Sequence, residues 1–225
     1  MAIKICSSPQ FRYLVYTPVE YDTKTHKTWP LLLYLHGAGS NKSSDIQRIG
    51  NKGPLHWVSN GNSLQFVIVA PHAEDGQKWR TRDLMAFLNH IGEILKINMK
   101  QVCITGVSMG AYGVWSLLLE YPSHFVAAAP IAGAASTTSI AMAPKFGSEG
   151  AALRQLNVWA VHGAEDTDVP LAEVEKTFLS LQRIGCTNTK LTIHPNAAHD
   201  VWTCTYNDPT FYEWLDKCVY HKLHE

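Results

Sequence analysis

Seven short apolar runs recur along the chain, at intervals that leave room for a helix between most of them. Phe11 to Thr17, Leu31 to Leu35, Phe66 to Ala70, Val102 to Thr105, Phe125 to Ile131, Val158 to Val161 and Leu191 to His194 are candidate strands. Most are continuous rather than alternating, the pattern of strands buried on both faces. Between them the period changes: Leu84, Phe87, Leu88, Ile91 and Leu95 repeat at helical spacing, as do Leu171, Val174, Phe178 and Leu181, with Gly185 as a stop. A last helix is announced by Asp208 as N-cap, Pro209 at the first helical position, and a stripe of Phe211, Trp214, Leu215, Cys218 and Val219. Strands and helices in alternation predict an α/β fold, a mostly parallel central sheet with helices on both faces. Residues 40 to 63 and 134 to 151 have no clear period and are rich in small and polar residues, so loops or short helices are expected there. Both follow a candidate strand, which would set them at the rim of a ligand site.

With 225 residues, the chain suits one domain over residues 1 to 225, without a large lid domain. Lysine plus arginine and aspartate plus glutamate both number 19, and no block of like charge occurs. That balance argues against nucleic-acid or anionic-membrane partners and favours small neutral ones. Met1 to Phe11 lacks a basic region followed by an apolar stretch, and no segment reaches the roughly 18 apolar residues of a membrane span. A soluble, cytoplasmic protein is the expectation. Five scattered cysteines without a C-x-x-C pair read as reduced thiols, Cys103 and Cys218 in the core. Cys204, five residues past His199, is a weaker candidate for a functional thiol.

The chemistry begins at Gly106-Val107-Ser108-Met109-Gly110, between a candidate strand and a helical pattern starting at Met109. A serine hydroxyl is a poor nucleophile at neutral pH and must be held exposed where a base can reach it. A glycine-bracketed strand-to-helix turn does this, and the serine is expected to carry strained dihedrals. Downstream come His162-Gly163-Ala164-Glu165-Asp166-Thr167-Asp168-Val169-Pro170 and then Ala197-Ala198-His199-Asp200, giving the order serine, acid, histidine. Upstream, Leu31 to Leu35 ends in His36-Gly37-Ala38-Gly39, where a backbone N–H would meet an oxyanion. Glu165, Asp166 and Asp168 all compete for the acid. Asp168, just before Val169-Pro170, has an alternative role as N-cap of the following helix.

Taken together, these motifs resemble the α/β-hydrolase superfamily, and within it the small phospholipase/carboxylesterase-like serine esterases and "predicted peptidases". The resemblance runs from the Leu-His-Gly-Ala-Gly turn through Val69-Ala70-Pro71-His72, Trp79, the elbow and the His162-Gly163 turn to the tail at residues 197 to 215. Ala198 departs from the glycine common before the histidine of such enzymes. The resemblance implies Ser108 as nucleophile and His199 as base. It implies Asp166 as acid, through the pattern His-Gly-x-x-Asp-x-x-Val-Pro. The oxyanion hole would be the backbone N–H groups of Ala38 and Met109.

His36, His72, His162 and His194, also at strand ends, have structural roles as the alternative. Trp79 and Trp202 are candidates for the substrate pocket, against ordinary burial. No metal or cofactor is implied, since acyl transfer by such a triad needs neither and no H-E-x-x-H or ligand-spaced cluster occurs. The expectation is a serine carboxylesterase acting on small, short-acyl esters through an acyl-enzyme. A lysophospholipase, acyl thioesterase or peptidase with the same residues is the alternative, as is a ligand-binding protein that retains the fold.

Overall fold

Continuous apolar runs need helices on both sides, and the chain arranges them so. In a computed structural model, which describes residues 3–24, 26–40 and 45–221, eight strands form one sheet. They are β1 (Lys4–Ser7), β2 (Arg12–Tyr16), β3 (Trp29–Leu35), β4 (Val67–His72), β5 (Ile97–Val107), β6 (Ala127–Ile131), β7 (Asn157–Gly163) and β8 (Thr189–His194). Their spatial order is β1-β2-β4-β3-β5-β6-β7-β8. The pairings β1–β2 and β2–β4 are antiparallel, and all others are parallel.

The helices are α1 (Gln47–Gly50), α2 (Gly53–Ser59), α3 (Thr81–Ile94), α4 (Met109–Glu120), α5 (Thr137–Met142), α6 (Gly147–Gln155), α7 (Leu171–Arg183), α8 (Trp202–Tyr206) and α9 (Pro209–His221). Strand alternation sorts the core into two layers. Leu31, Leu33 and Leu35 of β3 join Val102 and Ile104 of β5 under α3 to α7, whereas Leu32, Tyr34, Cys103 and Val107 face α1, α2, α8 and α9. The fully buried β3 and β5 segments thus explain why their sequence shows no period of two.

All seven candidate strands are present, with boundaries shifted by a few residues. β1 was not anticipated: its four residues show no apolar alternation, and it is defined by pairing with β2, Lys4 opposite Val15 and Ser7 opposite Arg12. The stretch from 40 to 63 holds α1 and α2, with residues 41 to 44 outside the described part, and the stretch from 134 to 151 holds α5 and the start of α6. Parallel strands β3, β5, β6, β7 and β8 all end on one side, so the loops after them converge there. No described helix is long and apolar enough to cross a membrane.

Candidate active site

Ser108 sits between β5 and α4 with φ 51° and ψ −117°, one of two non-glycine residues in the described chain with positive φ. Its N–H donates to the Ile131 carbonyl at 2.9 Å, and its carbonyl accepts from Tyr112 N–H at 3.2 Å, so both sides of the strained residue are anchored. The flanking glycines are required by space rather than by φ. A Cβ added at Gly110 would collide with the Leu35 carbonyl oxygen, and one at Gly106 would lie 2.7 Å from the Gly110 carbonyl. β3, β5 and α4 therefore meet backbone to backbone under the serine.

The acid turn and the histidine loop are stitched to each other. Ala164 N–H donates to the His194 carbonyl at 2.9 Å and Glu165 N–H to the Ala197 carbonyl at 3.0 Å. Gly163 lies flush against the carbonyls of Ala197 and Ala198, where any Cβ would clash. Ala198 has no positive φ, so the loop reaches the site without the glycine common in similar enzymes.

Across this junction Ser108, His199 and Asp166 are brought into one hydrogen-bonded chain. Ser108 Oγ–H donates to His199 Nε2 at 2.9 Å, and His199 Nδ1–H donates to Asp166 Oδ2 at 2.8 Å. Asp166 is 5% exposed, and its other oxygen accepts the backbone N–H groups of Asp168 and Val169, each at 2.9 Å. Burial alone would raise its carboxyl. The hydrogen bonds from His199 and Val169, with the two neighbouring imidazoles, outweigh burial and hold it below the usual carboxylate value. The arrangement sets an acceptor beside the serine proton and a fixed anion behind the acceptor, which is what transfer of that proton requires.

Asp168 does not cap α7. Pro170 occupies the N-cap position without a side-chain cap bond, and the Asp168 side chain is 70% exposed, with Oδ2 3.9 Å from His199 Nε2. The N-cap expectation fails because the turn is organised from Asp166, whose Oδ1 reaches the N–H groups two and three residues on. Glu165 is exposed.

Met109 opens α4 and Ala38 opens a short 3-10 turn, Ala38–Ser40, so helix geometry gives neither N–H an internal partner. The two segments touch: a Cβ on Gly37 would lie 3.3 Å from Ser108 Cβ. His36 holds this loop in place. Its Nδ1–H donates to the Gly37 carbonyl at 2.9 Å, and its Nε2 accepts Ala73 N–H at 3.1 Å. Burial pushes its imidazole down to about 4, with a smaller opposing effect from the Gly37 carbonyl, so the ring is neutral at ordinary pH.

The two tryptophans contact different histidines. Trp202 stands perpendicular to the His199 ring at 5.2 Å. Trp79 donates Nε1–H to the His36 carbonyl at 3.1 Å and packs edge-on against the His36 ring, beside the Gly37–Ala38 loop. It lines two outer cavities of about 630 and 760 Å³ whose linings include neither Ser108 nor His199.

Sequence reasoning passed over His162 as a site residue. Fully buried, it donates Nε2–H to the Val169 carbonyl at 2.8 Å and lies 3.3 Å from Asp166 Oδ2. Its place four residues before Asp166, in a His-Gly pair, was the available signal. All five cysteines are free thiols, and Cys204 is exposed, with Sγ–H directed at the Val201 carbonyl. Among the described residues no group of three or more histidine, cysteine or acidic side chains is arranged to hold a metal.

No family model and no curated protein sequence matches the chain. Solved structures do. A thermostable esterase superposes with TM-score 0.76 at 23% identity over 96% of this chain, which spans 62% of that protein's length. A ferulic acid esterase gives 0.73 at 17% identity, covering 97% of this chain and 96% of the other. The acylaminoacyl peptidase of Pyrococcus horikoshii gives 0.64 at 15% identity, with 97% of this chain matching 41% of that one. Sheet order, elbow and likenesses together give this chain the α/β-hydrolase fold.

Proposed function

We propose that the protein is a serine hydrolase of carboxylic esters, with Ser108 as nucleophile, His199 as general base and acid, and Asp166 as the orienting anion. The observation that carries this reading is the unbroken Ser108–His199–Asp166 hydrogen-bond chain mounted on a strained elbow. Ser108 Oγ attacks the ester carbonyl as its proton moves to His199 Nε2, and the tetrahedral oxyanion takes hydrogen bonds from Met109 N–H and Ala38 N–H. His199 returns the proton to the departing alcohol, leaving an acyl-enzyme. Water, deprotonated by the same imidazole, then releases the acid.

The fold alone does not choose the bond, since esterases and a peptidase share it. The esterase names among the structural neighbours favour an ester bond, and the small residues near the elbow, Gly37, Ala38, Ala132 and Gly133, favour short-acyl or compact esters. The test is steady-state hydrolysis of p-nitrophenyl esters from acetate to palmitate, with Ser108→Ala beside the wild type. The expected result is turnover of the short esters, falling at least about 10³-fold in the variant. Folded wild-type protein that turns over none of the series overturns the reading.

A further inference from the structure

Asp168 is left over once Asp166 is assigned, and its position is informative. Its carboxylate stands 3.9 Å from His199 Nε2, the nitrogen facing Ser108, on the opposite side of the ring from Asp166. Resting on the hydrolase reading above, we propose that Asp168 is a specificity-determining residue that favours esters whose alcohol part carries a positive charge. Nε2 must come within about 3 Å of the departing alcohol oxygen to protonate it. The alcohol part therefore passes beside Nε2, and Asp168 is the charged side chain that meets it there.

Among the described residues no lysine or arginine is paired with that carboxylate. Residues 155 to 175 and 191 to 216, which include the acid turn and the histidine loop, contain no lysine or arginine. The described ion pairs give Asp168 no cationic partner but His199 itself. Lys52 lines a cavity of about 200 Å³ together with Asp200 and Trp202. Glu173, the next acid along, is already paired with Lys176 at 2.8 Å. The backbone of Asp168 is held in place, because its N–H donates to Asp166 Oδ1. An exposed carboxylate about 4 Å from a cation discriminates by about five-fold, and the effect weakens with salt.

The experiment compares acetylcholine with its uncharged isostere 3,3-dimethylbutyl acetate, on wild type, Asp168→Asn and Asp168→Lys. The readout is the ratio of kcat/KM for the charged ester over the neutral one. The wild-type ratio is expected to exceed unity and to fall as sodium chloride is raised. Asp168→Asn lowers it about five-fold and removes the salt dependence, and Asp168→Lys lowers it further. The neutral ester reports folding and chemistry within each variant, so a merely structural role for Asp168 moves both rates and leaves the ratio alone. Turnover of the neutral ester with a ratio unaffected by either substitution overturns the proposal and leaves the esterase reading standing. Silence with both esters and with the p-nitrophenyl series overturns both.

Discussion

Asp166 collects hydrogen bonds on both oxygens, from two backbone N–H groups on one and from His199 on the other, with His162 close by. An amide cannot reproduce this set. In Asp166→Asn the amide oxygen faces either the backbone donors or His199, and in the first case its NH₂ meets the imidazole and selects the wrong tautomer. The expected result is folded protein with kcat reduced about 10³- to 10⁴-fold. Asp166→Ala also strands the N–H groups of Asp168 and Val169, lowering stability by about 1–3 kcal/mol. Kinetics and thermal melts of the two variants check this, and near-normal turnover in the asparagine variant removes Asp166 from the mechanism. Sequence alone assigned the backbone bonds to Asp168, because proximity to a helix start is visible in a string of residues. An aspartate folding the chain back over its own next three residues is not. The candidate serine and histidine were easier to read, each being marked by motif and by order along the chain.

At the level of elements, the elbow and the paired loops after β7 and β8 store different kinds of constraint. Ser108 carries its strain in its own φ, so removing the hydroxyl by two routes should separate chemistry from backbone cost. Ser108→Gly and Ser108→Ala both lose hydrolysis, but glycine tolerates φ 51° and alanine does not. The glycine variant is expected to be about 1 kcal/mol more stable than the alanine variant, a difference of roughly 2–4 °C in melting temperature. Equal melting temperatures would show that the strain is relaxed elsewhere. Gly163→Ala acts on the junction itself: its methyl must push the carbonyls of Ala197 and Ala198 away and so separate the acid turn from the histidine loop. Activity should fall by about 10²-fold or more from an ångström-scale misplacement, while the protein stays folded. The strands were legible because burial on both faces writes continuous apolar runs into the chain. The Gly163 contact was not, since it joins residues 34 positions apart through backbone atoms that leave no side-chain pattern. β1 escaped for a related reason, its existence resting on β2.

Over the whole molecule, balanced charge conceals a dependence on acid that buried groups impose. His36 is fully buried, with its ring placed between Gly37 and Ala73, so the native state binds its proton only near pH 4, whereas an unfolded imidazole binds it near pH 6.5. Its neutral form therefore stabilises the fold fully above pH 6.5, and that contribution drains away as pH falls from 6.5 to about 4. At about 1.4 kcal/mol per pH unit the loss approaches 3 kcal/mol, a large share of a typical stability of 5–15 kcal/mol. Asp166 acts in the same direction at lower pH, since its native carboxyl is held below the usual value and its contribution is lost as acid protonates it. Urea denaturation of wild type and His36→Gln at intervals from pH 8 to pH 4 isolates the histidine. The stability difference is expected to change by about 3 kcal/mol in favour of the variant as pH falls, because glutamine has no proton to gain. Protonation also converts Nε2 from acceptor to donor against Ala73 N–H, so hydrolysis by wild type should fail on the acid side together with stability, as the Gly37–Ala38 loop loses its anchor. A stability difference that stays constant over that range would mean that His36 is not the buried base that ties the Gly37–Ala38 loop to the fold.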